Sequence, residues 1–250
     1  MASYYIGLSL LSNKWEKQAE RKKLLHEEGR RILSLLENHP IGAADISKGE
    51  NGRPFFTDRR ADFNISHSGN LAAVSMVKSK ADNNEVINDV FTNNEVVNRK
   101  TAMMRTGCDL ELVRPRTNIH EMTKKFFSPA EREYIQSDMA KFFQIWTLKE
   151  CFLKLKGLSV FDMAQVPSFI RVSAGGSGQF AFCGSSSTPL SFSLYELAGE
   201  AERYILATVI EGTGQIQPEI RWFSPSFLPC NNIVEINAET SPPETVRAKM

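Results

Sequence analysis

The sequence, 250 residues long, predicts a mixed fold of the α/β (α+β) class. Three observations predict it. Lys14 to Leu36 carries apolar residues at helical spacing, with Leu24, Leu25, Ile32, Leu35 and Leu36 on one face. Lys141 to Lys156 gives a second helical signal, rich in Phe, Trp and Leu. Short runs with strand character lie before, between and after these helices.

Taken in order, Tyr4 to Leu10 alternates and reads as a first strand, not as a signal peptide, because no positive charge precedes the apolar run. Asn51-Gly52-Arg53-Pro54 is a turn signal. Phe63 to Ser66 and Leu71 to Val77 read as two short strands around a small polar turn. Residues 79–100 are rich in Asn and acidic residues and poor in apolar ones, which predicts a surface insertion, with room for a short helix around Val86 to Phe91. Gly107 to Glu111 reads as a strand that opens the second half. Ser128-Pro129-Ala130-Glu131 is a helix start: Ser as N-cap, Pro at the first helical position, Glu three beyond the cap. Phe169 to Val172, Gly178 to Phe182, Leu190 to Leu197 and Arg203 to Ile210 read as an antiparallel run, with Ile220 to Phe223 as an edge strand. The expected division is 1–105, 106–228 and a loose tail, 229–250.

Composition bounds the function. A hydrophobic content of 42% is enough for one large core or two small ones. The formal net charge of +1 points to neither nucleic acid nor a membrane surface. No run approaches the ~20 apolar residues of a membrane helix. Cys108, Cys151, Cys183 and Cys230 have no metal-type spacing, which fits free thiols in a reducing cytoplasm.

Three groups of residues carry chemistry. On a strand, Asp109 and Glu111 share a face, and Cys108 and Leu110 point into the core. An isolated D-x-E is more often two exposed charges on an edge strand. On the second helix, Trp146, Glu150 and Lys154 stack at intervals of four. A surface Glu–Lys pair at that spacing contributes only about 0.2–0.5 kcal/mol, but this helix is too apolar to be merely a surface helix. The third group, Ser66-His67-Ser68-Gly69, offers hydroxyl, imidazole and backbone N–H groups suited to phosphate oxygens, although a lone His is usually structural. Together the groups suit a phosphorylated ligand held through a hard cation such as Mg²⁺, which takes one or two carboxylates plus substrate phosphates.

The ordered set G-R-P, F-N-I-S-H-S-G, G-C-D-L-E, F-F-S-P-A-E and W-T-L-K-E-C-F-L-K resembles the 4′-phosphopantetheinyl transferase family, surfactin-synthetase-activating (Sfp-like) type, over roughly residues 4–225. The resemblance implies two similar α/β halves in one chain, a pseudo-dimer. Each half has a mainly antiparallel sheet packed on a long helix, and coenzyme A lies between the halves. Matched by motif, Asp109, Glu111 and Glu150 resemble the Mg²⁺ carboxylates, and Lys154 the lysine that meets the diphosphate. Ser66 and His67 resemble the pair that contacts coenzyme A phosphates, and Arg53 a basic contact to the 3′-phosphate. Arg21, thirty-one residues before Gly52, is placed like a family arginine near the nucleotide. Two departures stand out: the segment 79–100 lengthens one link, and Leu155-Lys156-Gly157-Leu158 departs from the family's Gly-x-Gly-Leu.

The implied reaction moves 4′-phosphopantetheine from coenzyme A to a serine of an apo acyl or peptidyl carrier protein and releases 3′,5′-ADP. Lys154, with Lys149 as a second candidate, would stabilise charge on the diphosphate. Glu150 is the first candidate for the base and Glu131 the second. Two rivals remain open from sequence: another Mg²⁺-dependent phosphotransfer or diphosphate-cleaving enzyme, and a non-catalytic binder of coenzyme A or carrier protein. Two halves in one chain make a monomer the default.

Overall fold

A computed structural model describes residues 2–11, 18–49, 51–78, 104–174, 177–186, 188–198, 202–212, 216–223 and 234–239. The expected insertion at 79–100 lies outside these residues.

The N-terminal helix, α1 (Gln18–Glu37), buries Leu25, Gly29, Ile32, Leu33 and Leu36. Leu35, expected on that face, is exposed, and Leu33 takes its place inside. The stripe at positions 25, 29, 32, 33 and 36 keeps steps of three and four, as a helix on a core must. It lies against β1 (Ser3–Leu10), β4 (Asp62–Ser68) and β5 (Leu71–Lys78). With β11 (Glu219–Trp222) they form one sheet in the order β11-β1-β5-β4, in which β1 and β4 pair antiparallel with β5. A separate hairpin, β2 (Ile46–Lys48) with β3 (Pro54–Phe56), carries the Gly52-Arg53 turn.

The second sheet has the order β6-β10-β9-β12-β8-β7. Its strands are β6 (Arg105–Leu112), β7 (Phe169–Ala174), β8 (Ser177–Phe182), β9 (Leu190–Ala198), β10 (Arg203–Glu211) and β12 (Val234–Glu239). Between β6 and β7 come α2 (Ile119–Phe126), α3 (Pro129–Ile135) and α4 (Met139–Lys156). The expected start of α3 is present: Ser128 Oγ accepts from Glu131 N, and the Glu131 carboxylate accepts from Ser128 N. Helix α4 packs on β6 and β10.

Two expectations are corrected. The edge strand β11 (Glu219–Trp222) joins the first sheet, pairing in parallel with β1, so the segment 106–228 sends its last strand across to the other half. It covers the edge of β1 that β5 leaves open. The tail beyond 229 is not wholly loose. Val234–Glu239 inserts between β9 and β8, and its V-E-I-N-A-E alternation has strand period.

Three clusters set the layers. Leu25, Ile32, Phe56, Phe63 and Val74 fill the space between α1 and the first sheet. Ile6, Leu8, Ala73, Cys108, Leu110, Tyr195 and Leu206 fill the space between the sheets. Phe142, Phe143, Leu148, Phe192, Ile205 and Val209 fill the space between the second sheet and α4. The order is helix, sheet, sheet, helix.

The two sheets meet at strands β4 and β6 without a backbone ladder. Alternate side chains of β4 serve successive outward N–H groups of β6. Asp62 Oδ2 accepts from Thr106 N at 2.7 Å, and Asn64 Oδ1 from Cys108 N at 3.4 Å. Ser66 Oγ accepts from Leu110 N at 3.1 Å, and Ser68 Oγ from Leu112 N at 2.9 Å. Every step is two residues on both strands, so they run side by side in the same direction.

Replacing Asn64 by Leu keeps the approximate volume and removes one acceptor. The buried Cys108 N–H then lacks its partner, at an expected cost of about 1–3 kcal/mol. Urea denaturation measures it, and a midpoint unchanged from wild type would show that this rung contributes nothing.

Candidate active site

The strand period puts Asp109 and Glu111 on the α4 side of β6, opposite Cys108 and Leu110. Helix α4 comes close because Gly107 has no side chain: a Cβ there would lie 2.5 Å from Cys151 O and 2.9 Å from Leu155 N. That contact lays Glu150 over the strand. One carboxylate oxygen from each of Asp109, Glu111 and Glu150 lies within 4.8 Å of the others. Lys154, one turn on from Glu150, donates to Asp109 Oδ1 at 2.5 Å and to Ser66 Oγ at 2.8 Å. Ser66 Oγ also lies 3.0 Å from Asp109 Oδ1, and Ser68 Oγ donates to Glu111 Oε2 at 3.0 Å.

Three carboxylates share one neighbouring ammonium, and the charges respond. Burial and then the Asp109 carboxylate push Glu150 up to about 8, against the pull of Lys154. Burial and Asp109 also raise Glu111, with Ser68 and Arg116 opposing them. Burial works against the Lys154 ammonium, but Asp109 and Glu150 outweigh it and hold its pKa above the ordinary lysine value. Asp109 Oδ2 is buried without a hydrogen-bond partner among the described residues, and a protonated Glu150 could supply one. A shared proton or a divalent cation would each relieve this site. Hard carboxylate oxygens from two elements, one of them buried and unpartnered, fit Mg²⁺.

His67 faces the other way along β4 from Ser66, edge-on to His26 with ring centroids 4.9 Å apart. Burial, then His26 and Lys154, lower its pKa to about 4, so the imidazole is neutral near pH 7. Arg21 is half-buried in the first turn of α1 and bears on the Tyr204 hydroxyl, which donates to Glu202.

Glu131 and Lys149, expected among the catalytic and substrate-binding groups, are held apart from the cluster. Their side chains are 0% and 2% exposed and form an ion pair at 3.2 Å. Glu131 also accepts from Ser128 N and Phe169 N, and Lys149 donates to Phe126 O and Val166 O. Every one of these partners is structural. The pair ties α2, α3 and β7 to α4, and it fixes the turn from which Glu150 projects. Arg53 is also held by protein partners: Asp62, Thr106 O and Lys154 O.

The sequence reading missed two contributors. Asp62 begins the polar alternation Asp62, Asn64, Ser66, Ser68, a signal that was legible as one strand face. Arg116 lies 3.6 Å from Glu111 Oε1 with its guanidinium over the Phe143 ring, and no periodicity marks it.

Residues 105–209 match the family model of the 4′-phosphopantetheinyl transferase superfamily. Over that span the chain is similar to that superfamily. The matched span runs from the start of β6 into β10 and holds Asp109, Glu111, Glu150 and Lys154. The 4′-phosphopantetheinyl transferase AcpT of Salmonella typhimurium is 30% identical over 126 residues, 48% of this chain and 53% of that one. A putative 4′-phosphopantetheinyl transferase of Haemophilus influenzae is 29% identical over 152 residues, 59% of this chain and 55% of that one. The 4′-phosphopantetheinyl transferase HetI of a Nostoc species is 30% identical over 124 residues, 46% and 42% of the two chains. The chain thus spans about half the length of the curated relatives it matches. The motif resemblance to the superfamily is borne out.

Two predictions follow from the charges. Lys149→Ala strands the Glu131 carboxylate, with an expected loss of about 3–5 kcal/mol in urea denaturation. A loss below about 1 kcal/mol, the value of an exposed pair, would contradict a buried structural role. The second concerns pH. Glu150 has a folded-state pKa raised from the ordinary value of 4.5 to about 8, so its stabilising contribution is complete below about 4.5, falls as pH rises towards 8 and is gone above it. His67, lowered to about 4, acts in the opposite sense, and its contribution fades as pH falls from about 6.5 towards 4. Metal-free protein should therefore lose melting temperature as pH rises from about 6.5, where the His67 contribution is complete, to about 8, and Glu150→Gln should flatten that limb. Added Mg²⁺ should stabilise wild type more at pH 8 than at pH 6, because ligation requires the ionised carboxylate. Parallel melting curves for both proteins, with and without Mg²⁺, check all three points.

Proposed function

We propose that the chain transfers 4′-phosphopantetheine from coenzyme A to a serine hydroxyl of an apo acyl or peptidyl carrier protein, leaving 3′,5′-ADP. The observation that carries this is the convergence of Asp109, Glu111 and Glu150 with Lys154 and Ser66 between two sheets. That arrangement suits a diphosphate, and the superfamily match contains all four of its charged members.

Asp109, Glu111 and Glu150 would hold Mg²⁺, which supplies charge neutralisation to the diphosphate when bound. Lys154 lies beside the carboxylates, so its ammonium can turn from Asp109 to a phosphate oxygen and stabilise the charge that develops there. Ser66 and neutral His67 offer hydrogen bonds to phosphate oxygens from the β4 side. The carrier serine Oγ attacks the β-phosphorus, and the bond from that phosphorus to the bridging oxygen breaks. Adenosine 3′,5′-bisphosphate leaves with that oxygen. Glu150, once ionised, accepts the serine proton; Glu131 is too deeply buried in its structural pair to do so. The electrostatics of this transfer follow the general logic of phosphoryl transfer, in which positioning and charge dominate.

We extend the reading to the Sfp-like type, in which the two sheet-and-helix units count as similar halves of a pseudo-dimer. The proposed division is 1–105 and 106–228, with β11 crossing back. A monomer working in the cytoplasm is the matching proposal; among the described residues no helix is long and apolar enough to cross a membrane.

Mass spectrometry of an apo carrier protein incubated with this chain, coenzyme A and Mg²⁺ tests the proposal. The carrier should gain one phosphopantetheine, with release of 3′,5′-ADP that depends on the carrier. Release without a carrier would indicate a hydrolase, and coenzyme A binding with no covalent change would indicate a binder. Asp109→Ala and Glu150→Ala should each abolish transfer while the protein stays folded. Near-normal turnover by either variant would sink the assignment of the cluster.

A further inference from the structure

Arg53 sits on the wall of a small open pocket lined by Gly52, Pro54, Asn64, Lys154 and Gly157. By its motif it resembles a basic contact to a substrate phosphate. Its guanidinium, however, turns inward. Nη1 and Nη2 grip both oxygens of Asp62 at 3.0 and 2.7 Å, a bidentate pair. Nη2 also donates to Thr106 O at 2.9 Å, and Nε donates to Lys154 O at 3.0 Å. Arginine has five N–H donors, so one is left for a ligand.

The partners explain what this clasp does. Thr106 is the second residue of β6, and Asp62 is the first rung of the β4–β6 contact, where its Oδ2 also accepts from Thr106 N. Lys154 O lies in the last turn of α4, where carbonyls lose their helical partners and the helix dipole favours a cation. Gly157, in the left-handed conformation that ends α4, packs beside the Arg53 side chain. A second arginine, Arg105 on β6, caps the next carbonyl, Leu155 O, at 2.7 Å. The end of α4 is thus held from both sides. The residue whose carbonyl Arg53 holds is the one whose ammonium reaches Asp109 and Ser66.

Resting on the transferase reading, we infer that Arg53, with Asp62, is a positioning residue that fixes the last turn of α4 so that Lys154 and Glu150 meet Asp109. It does not select the 3′-phosphate of the donor. Gripping that phosphate with more than the one remaining Nη1–H would require the guanidinium to give up some of its four protein hydrogen bonds, two of which form the bidentate pair with Asp62.

Coenzyme A and dephospho-coenzyme A separate the two roles, because they differ only in that phosphate. Arg53→Ala, Arg53→Lys and Asp62→Asn are compared with wild type in transfer kinetics and in calorimetric titration of both donors with Mg²⁺. Positioning predicts that kcat falls by about tenfold to a hundredfold for both donors alike, as expected for misplaced catalytic groups. It also predicts that the preference between donors stays as in wild type. Lys should not rescue, since one ammonium cannot span Asp62, Thr106 O and Lys154 O. Asp62→Asn should reproduce the kcat defect although the guanidinium is still present, so it decides the matter if Arg53→Ala does not fold. A loss confined to coenzyme A in Arg53→Ala would overturn the inference, as would coenzyme A binding that Asp62→Asn leaves intact or tightens with kcat unchanged. Variants that all match wild type would overturn it too. If wild type transfers nothing, the function falls, and the titrations still judge Arg53.

Discussion

The contact between β4 and β6 is the constraint on which the site depends. Two sheet edges that meet in a protein interior usually join through backbone hydrogen bonds, because each strand carries unpaired N–H and C=O groups. Here the side chains of Asp62, Asn64, Ser66 and Ser68 replace the partner strand and satisfy the N–H groups of Thr106, Cys108, Leu110 and Leu112. The consequence is spatial. A side-chain rung holds polar groups of β4 against the flank of β6, where a backbone rung would hold only the main chain. Ser66 therefore reaches Asp109 and Ser68 reaches Glu111, and the phosphate-suited motif and the carboxylate motif become one site. The apolar cluster between the sheets, with Ile6, Ala73, Leu110 and Leu206, supplies the burial that makes these rungs obligatory.

Much of this was legible because the relevant periodicities are simple. The D-x-E motif on a strand puts two carboxylates on one face, and E-x-x-x-K on a helix puts Glu150 and Lys154 on another; both readings hold in the structure. The strands read from the sequence lie within a residue or two of those observed, but β2, β3 and β12 were not read as strands. Failures came where partners are set by tertiary contact. Glu131 was legible as a capping residue, but not as the buried partner of Lys149, because the two are eighteen positions apart and meet only when α3 packs on α4. Arg53 carries a motif that looks like a ligand contact, and its partner Asp62 lies beyond a hairpin that no local pattern aims. The short strands β11 and β12 were misplaced for a related reason. Each completes an open edge or gap formed by strands distant in sequence, and composition does not record such vacancies.

Helix α4 shows why adjacent charged residues divide into support and chemistry. It is apolar nearly all round, with Phe142, Phe143, Leu148, Cys151 and Leu155 buried, so any charge on it must be matched. Lys149 points to one side and is matched by Glu131 and two carbonyls. Lys156, at the end, is matched by Glu211. Glu150 and Lys154 point to β6, where the balance is different: Asp109, Glu111 and Glu150 face one lysine, with Arg116 standing off Glu111. An interior tolerates buried charge when it is paired and hydrogen-bonded. By that standard Lys149 is finished as it stands, while the cluster is not, since Asp109 Oδ2 has no donor of its own. The excess negative charge and the unserved oxygen call for a cation, and a cation held by three carboxylates on one side needs an anion on the other. The order of support follows: Gly107 lets α4 approach, the Glu131–Lys149 pair ties its middle, Arg53 and Arg105 bind its end, and Asp109, Glu111 and Glu150 remain unmatched between those anchors.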